Sequence, residues 1–373
     1  MHEPRRGLAG RALTGLRGRA LAGALALLLA AGLAGAARAQ GTERLRIVGG
    51  LGALNQYSRH EVPFWTQDLA RLSGGRYSAE IVPFDRAGIR GQETLPLVKL
   101  GVVPFATVLL SAIAAKDPEL AAPDLAGLNP DMQSLRRSVA VFRPYLESQL
   151  RERYGVELLA VYVYPAQMTF CKAPLADLSS LAGRRVRTSS PTQADFVEAL
   201  GGVPVSTGFA EILPQVKAGH LDCAITGSMS GHTVGLHELT SHLQTTAVTW
   251  GLSVFVANGA TWAALPADLR ALLKRELPRV EQAIWKESDQ ETGAGVACST
   301  GAGTSVTGCS GERPGRMVAV AETAADRARL RSVLERTVLP RWAQRCGASC
   351  VAAWNRTLGP ATGLLLPPGA AAK

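Results

Sequence analysis

Short apolar runs alternate with amphipathic stretches along most of this chain, and that alternation predicts its elements. "RLRIVGGLG" reads as a strand entering a glycine-rich turn. "HEVPFWTQDLARLSGG" places Phe64, Leu69 and Leu72 on a helical period and stops at Gly74-Gly75. "RYSAEIVPF" alternates as a strand, "GQETLPLVKLGV" is a short helix, and "PFATVLL" is a third strand. A strand–helix–strand–helix–strand series implies a parallel sheet with crossover helices. The middle of the chain repeats the pattern. "YGVELLAVYVYP", "QMTFCKAPL", "RRVRT", "VPVST" and "HLDCAIT" are extended, with helices "TQADFVEAL" and "FAEILPQVKAG" between them. Ser190 is placed to cap the first of these helices, with Pro191 at its first position. "WGLSVFVANGATWAAL" returns to strand character. "LPADLRALLKRELPRVEQAIWKESDQET" then reads as a long helix with Leu269, Leu273, Leu277, Val280 and Ile284 on one face and a kink expected at Pro278. "DRARLRSVLERTVLPRWAQRC" is a further helix, expected to break near Pro340.

The N-terminus follows a different rule. Residues 1–39 join arginines to the apolar run "ALAGALALLLAAGLAGAA" and end in the small-residue site "ARA", the pattern of a signal peptide cleaved near Ala39. That segment carries six arginines and one acid, about half of the formal charge of +10. No Lys/Arg block with interleaved aromatics follows it, so nucleic acid is not an expected partner. Export makes the six cysteines candidates for oxidation. Cys298 and Cys309 bracket "CSTGAGTSVTGC", and Cys346 and Cys350 lie close enough to pair around Gly347. These are the preferred disulfides, and the pairing of Cys171 and Cys223 is left open.

Several enzymatic motifs fail on spacing. "HELTSH" separates His237 and His242 by five residues, where a helical zinc site needs four. "GGLGALN" lacks the third glycine of a dinucleotide fingerprint. "GSMSG" holds Met229 where a hydrolase would hold its nucleophilic serine. No catalytic set, cofactor or metal site is expected. Arg187 is different. It stands at the end of "RRVRT", just before a helix start, and in an α/β unit ligands bind beyond the carboxyl ends of strands. A guanidinium there can hold a carboxylate through two parallel hydrogen bonds. Arg184 and Arg185 have no such position and read as surface charge.

"LSSLAGRRVRT…ADFVEALGGVPVSTGFAEILPQVKAGHLDCAITG" resembles the solute-binding proteins of tripartite ATP-independent periplasmic (TRAP) transporters, of the C4-dicarboxylate-binding type. Leu181, Gly183, Arg187, Leu200, Gly201, Pro204, Val205, Phe209, Glu211, Gly219 and Asp222 fall on the family pattern in order. "LSGGRYSAEIVPFDRAGIRGQETLPLVKLGVV" is similar to its early segment, so the likeness covers about 50–290. The resemblance implies an α/β, two-lobed periplasmic-binding-protein-like fold (type II), its lobes linked by hinge strands and a long helix. On this reading lobe 1 comprises 40–164 with 250–265, and lobe 2 comprises 165–249. The long helix is 266–292, a Cys-bracketed loop 293–316, a helical region 317–360 and a disordered tail 361–373. The matching anchor for a substrate carboxylate is Arg187. Gln167, Phe209, Thr226 and Glu93 are expected in the wall, while Glu211 is expected to support the first turn of its own helix. Two positions depart from the family. Ala166 stands where a second arginine is usual, and Thr226 where asparagine is common.

The expected function is capture of a small organic acid in the periplasm and its delivery to TRAP membrane permease subunits. The alternative is an exported sensory module that binds a carboxylate and signals to a membrane receptor.

Overall fold

The computed structural model of the protein describes residues 2, 43–302, 309, 315–367 and 369–371. The expected signal peptide and its cleavage site lie outside these residues.

In the first half the chain forms β1 (Glu43–Gly49), β2 (Tyr77–Pro83), α1 (Gly91–Lys99), β3 (Phe105–Leu109), α2 (Met132–Tyr154) and β4 (Val156–Val163). Wide helical turns at Gln56–Glu61 and Phe64–Asp68 precede β2, so helix begins well ahead of Phe64. The 23-residue helix α2 fills a stretch for which no element is predicted; it buries Leu135, Val139, Phe142, Leu146 and Leu150 on one stripe. The second half supplies β5 (Gln167–Cys171), β6 (Arg185–Thr188), α3 (Pro191–Ala199), β7 (Val203–Ser206), α4 (Ile212–Lys217), β8 (Cys223–Gly227), α5 (Ser228–Thr233) and β9 (His242–Thr249). β10 (Leu252–Asn258), α6 (Ala267–Thr300), β11 (Val318–Val320), α7 (Ala324–Val333), α8 (Leu339–Cys346) and α9 (Ala348–Arg356) follow, with a last short helix at Leu358–Thr362.

Two sheets result, in the orders β2-β1-β3-β10-β4 and β11-β9-β5-β8-β6-β7. Both are mixed, not parallel throughout. β10 runs antiparallel to β3 and β4 because it enters from the second sheet, and β5 runs antiparallel to β8 and β9 because it enters from the first. The chain thus crosses between the sheets at residues 164–166 and again at 250–251. The two crossings are tied by Tyr164 N donating to Gly251 O at 3.0 Å. Gly251 holds φ +83°, a left-handed turn that favours glycine.

The third link is α6. It runs to Thr300, eight residues past its expected end, and takes in the first part of the expected Cys-bracketed loop. Its near half packs Leu269, Leu273, Leu277 and Ile284 against the first sheet. Its far half lies on α5 so closely that a Cβ on Gly295 would stand 2.2 Å from Met229 N. The gain from that packing outweighs the low helix propensity of "GAGVACST".

Two further expectations change. Helix continues through Pro340, because a widened turn at Leu334–Val338 precedes it and absorbs the missing N–H. Within the expected tail, Leu366 is buried, and Trp354 Nε1 donates to Leu364 O at 2.6 Å, so this part packs against the body of the protein. The C-terminal helices touch both sheets' layers: Trp342 Nε1 donates to Pro118 O, and Arg345 pairs with Asp195 of α3. Three disulfides form, Cys171–Cys223, Cys298–Cys309 and Cys346–Cys350. The first, left open by the sequence, joins residues directly opposite each other on β5 and β8. Cys309 is described, but most of the loop around it is not.

Candidate ligand-binding site

The two crossings floor a cleft of ≈ 690 Å³ between the sheets. One wall belongs to the first lobe. Leu51, Leu54, Phe84 and Tyr164 form a small apolar cluster there, extended by Ile89 and Leu109, and Phe209 packs onto it from the second lobe. The glycine-rich turn that carries Leu51 is pinned from behind. Gly50 N donates to Glu61 Oε2 at 2.7 Å, and Gln56 and Thr107 bind the other carboxylate oxygen. Burial pushes the Glu61 carboxyl above its ordinary range.

The opposite wall is polar and is built by the ends of strands. β6 pairs in parallel with β7 and β8, so its last residues open on the cleft beside the start of α3. Ser190 caps that helix by accepting from Gln193 N, and Pro191 is its first residue, as the sequence predicts. Arg187 is 4% exposed. Its Nε donates to Thr207 O at 2.9 Å and its Nη1 to Ile225 O at 2.7 Å, so the guanidinium reaches across both neighbouring strands. No acid among the described residues pairs with it. Burial lowers its pKa from the ordinary guanidinium range to about 10, and it remains a cation at neutral pH. An isolated buried charge is costly, and this one borders a cavity. Thr188, the next residue, is fully buried on the same wall, and its hydroxyl makes no hydrogen bond among the described residues.

Gln167 and Thr226 also line the cleft, on β5 and β8. Gln167 Oε1 accepts from Gln193 Nε2 at 2.6 Å, and Gln193 also bonds Thr249 and Ser189. This amide network links α3 to the crossing at Gly251. Arg187, Gln167, Thr226 and Phe209 are therefore brought together. Glu93 is not: as the third residue of α1 its carboxylate turns back to the Arg90 backbone and pairs with the Arg90 guanidinium, closing a capping box. Gln193, Thr188 and the apolar wall were not predicted. The only sequence signal for Gln193 was its place in the first turn after the Ser190–Pro191 start.

The other motifs resolve simply. Arg185 pairs with Asp222 at 2.7 Å at the exposed start of β6. His232 and His237 stack on each other with ring centroids 4.2 Å apart, away from the cleft wall.

The cleft thus lies between two mixed sheets joined by two chain crossings, and a buried guanidinium with no acidic partner among the described residues borders it. The sequence profile of the bacterial extracellular solute-binding proteins, family 7, matches residues 52–327. The chain belongs to that family. Among curated proteins it is 24% identical over 129 residues to a solute-binding protein of Sulfitobacter sp. strain NAS-14.1, spanning 34% of this chain and 39% of that relative's length. Among solved structures, a Bordetella pertussis extracytoplasmic solute receptor binding pyroglutamic acid superposes with a TM-score of 0.74 at 21% identity. It covers 84% of this chain and 98% of the receptor. A TRAP periplasmic solute-binding protein from Shewanella oneidensis with bound succinate superposes at 0.68 and 19% identity, over the same shares of each chain. This family 7 member thus has the two-lobed fold of those receptors.

Proposed function

We propose that this family 7 protein is the extracytoplasmic receptor of a TRAP-type transporter. It captures a small organic acid between its lobes, with Arg187 as the carboxylate anchor, and passes it unchanged to membrane permease subunits. The observation that carries the reading is Arg187 itself. It is a buried cation with two of its donors fixed on backbone carbonyls, no acidic partner among the described residues, and a cavity beside it. A carboxylate arriving there replaces lost hydration and completes a charge-assisted pair. The first turn of α3 adds the positive end of a helix to the same wall. Gln167 and Thr226 would position the ligand, and Phe209 would cover it. The relatives that bind pyroglutamate and succinate, both carboxylates, point the same way.

Ligand held by both walls stabilises the closed arrangement only by the contacts it adds there. The crossings at 164–166 and 250–251 are where the backbone would turn. A periplasmic location agrees with the leader sequence, and no described helix is long and apolar enough to cross a membrane.

A thermal-shift panel of pyroglutamate, succinate and other small carboxylates on the chain from Gln40 onward tests this. A ligand at 100 times its Kd should add about 2.7 kcal/mol of stability. A panel in which amines, sugars and neutral amides stabilise the protein and no carboxylate does would overturn the proposal.

A further inference from the structure

Resting on the carboxylate reading above, we infer that the cleft selects a monocarboxylate whose remaining body is uncharged and apolar. Polarity in the cavity is divided between its two walls. The polar groups, Arg187, Thr188, Ser189, Thr226 and Gln167, cluster around the ends of β5, β6 and β8. The facing wall is mainly Leu51, Leu54, Phe84, Ile89 and Leu109, with Phe209 beside them, and Gln92, Ser111 and Tyr164 add uncharged polar atoms to it. A ligand that spans the cleft therefore meets a buried cation at one end and a mainly hydrocarbon wall at the other, whose few inner polar groups are uncharged.

Counting charges sharpens this. Among the described lining residues the cations are Arg187 and Arg90. Arg90 is exposed and already paired with Glu93, so it adds little net charge at the mouth. The other ionisable lining residues besides Tyr164 are Asp85 and Glu211, both exposed acids. A second carboxylate would thus leave water for an apolar wall, or face two acids at the rim, with no buried cation to receive it. A cationic substituent would also have to leave water against the apolar wall, and the acids are too exposed to compensate it.

Isothermal calorimetry with two matched pairs reads this out: hexanoate against adipate, and 3-phenylpropionate against phenylalanine. Hexanoate and 3-phenylpropionate are each expected to bind at least about tenfold more tightly than their partners. Ile89→Arg, at a partly exposed point of the apolar wall, should shift the hexanoate-to-adipate ratio at least about tenfold toward adipate. A ratio below tenfold in either wild-type pair overturns the inference. So does a panel in which carboxylates with polar bodies bind and hexanoate and 3-phenylpropionate do not; that result would leave the carboxylate anchor standing. No binding by any carboxylate would overturn both.

Discussion

Arg185 and Arg187 stand two residues apart on one strand face, yet their environments oppose each other. Arg185 lies at the exposed start of β6 and is neutralised by Asp222. Arg187 lies at the buried end and has no acidic partner among the described residues. Arg185→Ala should therefore leave ligand affinity within about twofold and the unfolding midpoint nearly unchanged, as for an exposed pair. A tenfold loss in calorimetry would show that Asp222 and Arg185 shape the site. Asp124 offers a second test at this scale. Its carboxylate accepts from Trp250 N and from Gly251 N, the latter at 2.7 Å, and so holds the second crossing in place. Burial raises its pKa from 3.8 to about 7. Between those values the folded protein binds more protons than the unfolded chain, so this group makes stability fall as pH rises from about 4 to 7 and level off above. Asp124→Asn should flatten that part of the Tm-against-pH curve; an unchanged slope would contradict the assignment. Arg187 was legible in sequence because strand ends and helix starts are local features. Thr188 and Gln193 were not, because what matters about them is an absent partner and a distant one. Glu93 was misplaced for the opposite reason: a local capping box claimed it.

At the scale of elements, α6 does what no sequence window showed. Its last eight residues are rich in glycine and small residues and read as loop, but those residues are what let it lie against α5. Gly295→Ala pits a gain in helix propensity of about 1 kcal/mol against a Cβ placed 2.2 Å from the Met229 backbone. Backbone cannot yield as a flexible side chain can, so the clash wins. The substitution should destabilise the protein by about 1–3 kcal/mol in urea unfolding, and a stabilised variant would show that the contact is looser. The disulfides can be ranked in the same way. Their sequence separations are 52, 11 and 4. Loop closure then predicts losses of about 4, 3 and 2 kcal/mol for the paired Cys→Ala variants of Cys171–Cys223, Cys298–Cys309 and Cys346–Cys350. A reversed order in the unfolding midpoints would mean that native packing, not the unfolded chain, sets their effect. The sequence favoured the two short-range pairs because proximity along the chain is visible. The opposition of Cys171 and Cys223 across β5 and β8 depends on strand order, which is not.

At the scale of the whole molecule, the strand and helix series made two α/β halves legible, and the ordered family pattern gave their lobed arrangement. Mixed sheets were missed because each antiparallel strand arrives from the other half, a fact of topology that local periodicity cannot carry. The sequence shows 317–360 only as a helical region, yet α8 meets both Pro118 of the first half and Asp195 of the second. The molecule is thus held together on several sides around one cleft whose charge is concentrated at Arg187. Everything proposed for its function depends on that residue receiving a carboxylate. Calorimetric titration of wild type, Arg187→Lys and Arg187→Ala with the best carboxylate from the panel is the most direct test. Removing one member of a buried charge pair should cost about 2–5 kcal/mol, roughly 30- to 5,000-fold in Kd. Lysine should restore the charge but not the forked geometry, and so recover only part of the affinity. Equal affinity in wild type and a folded Arg187→Ala variant would contradict the account.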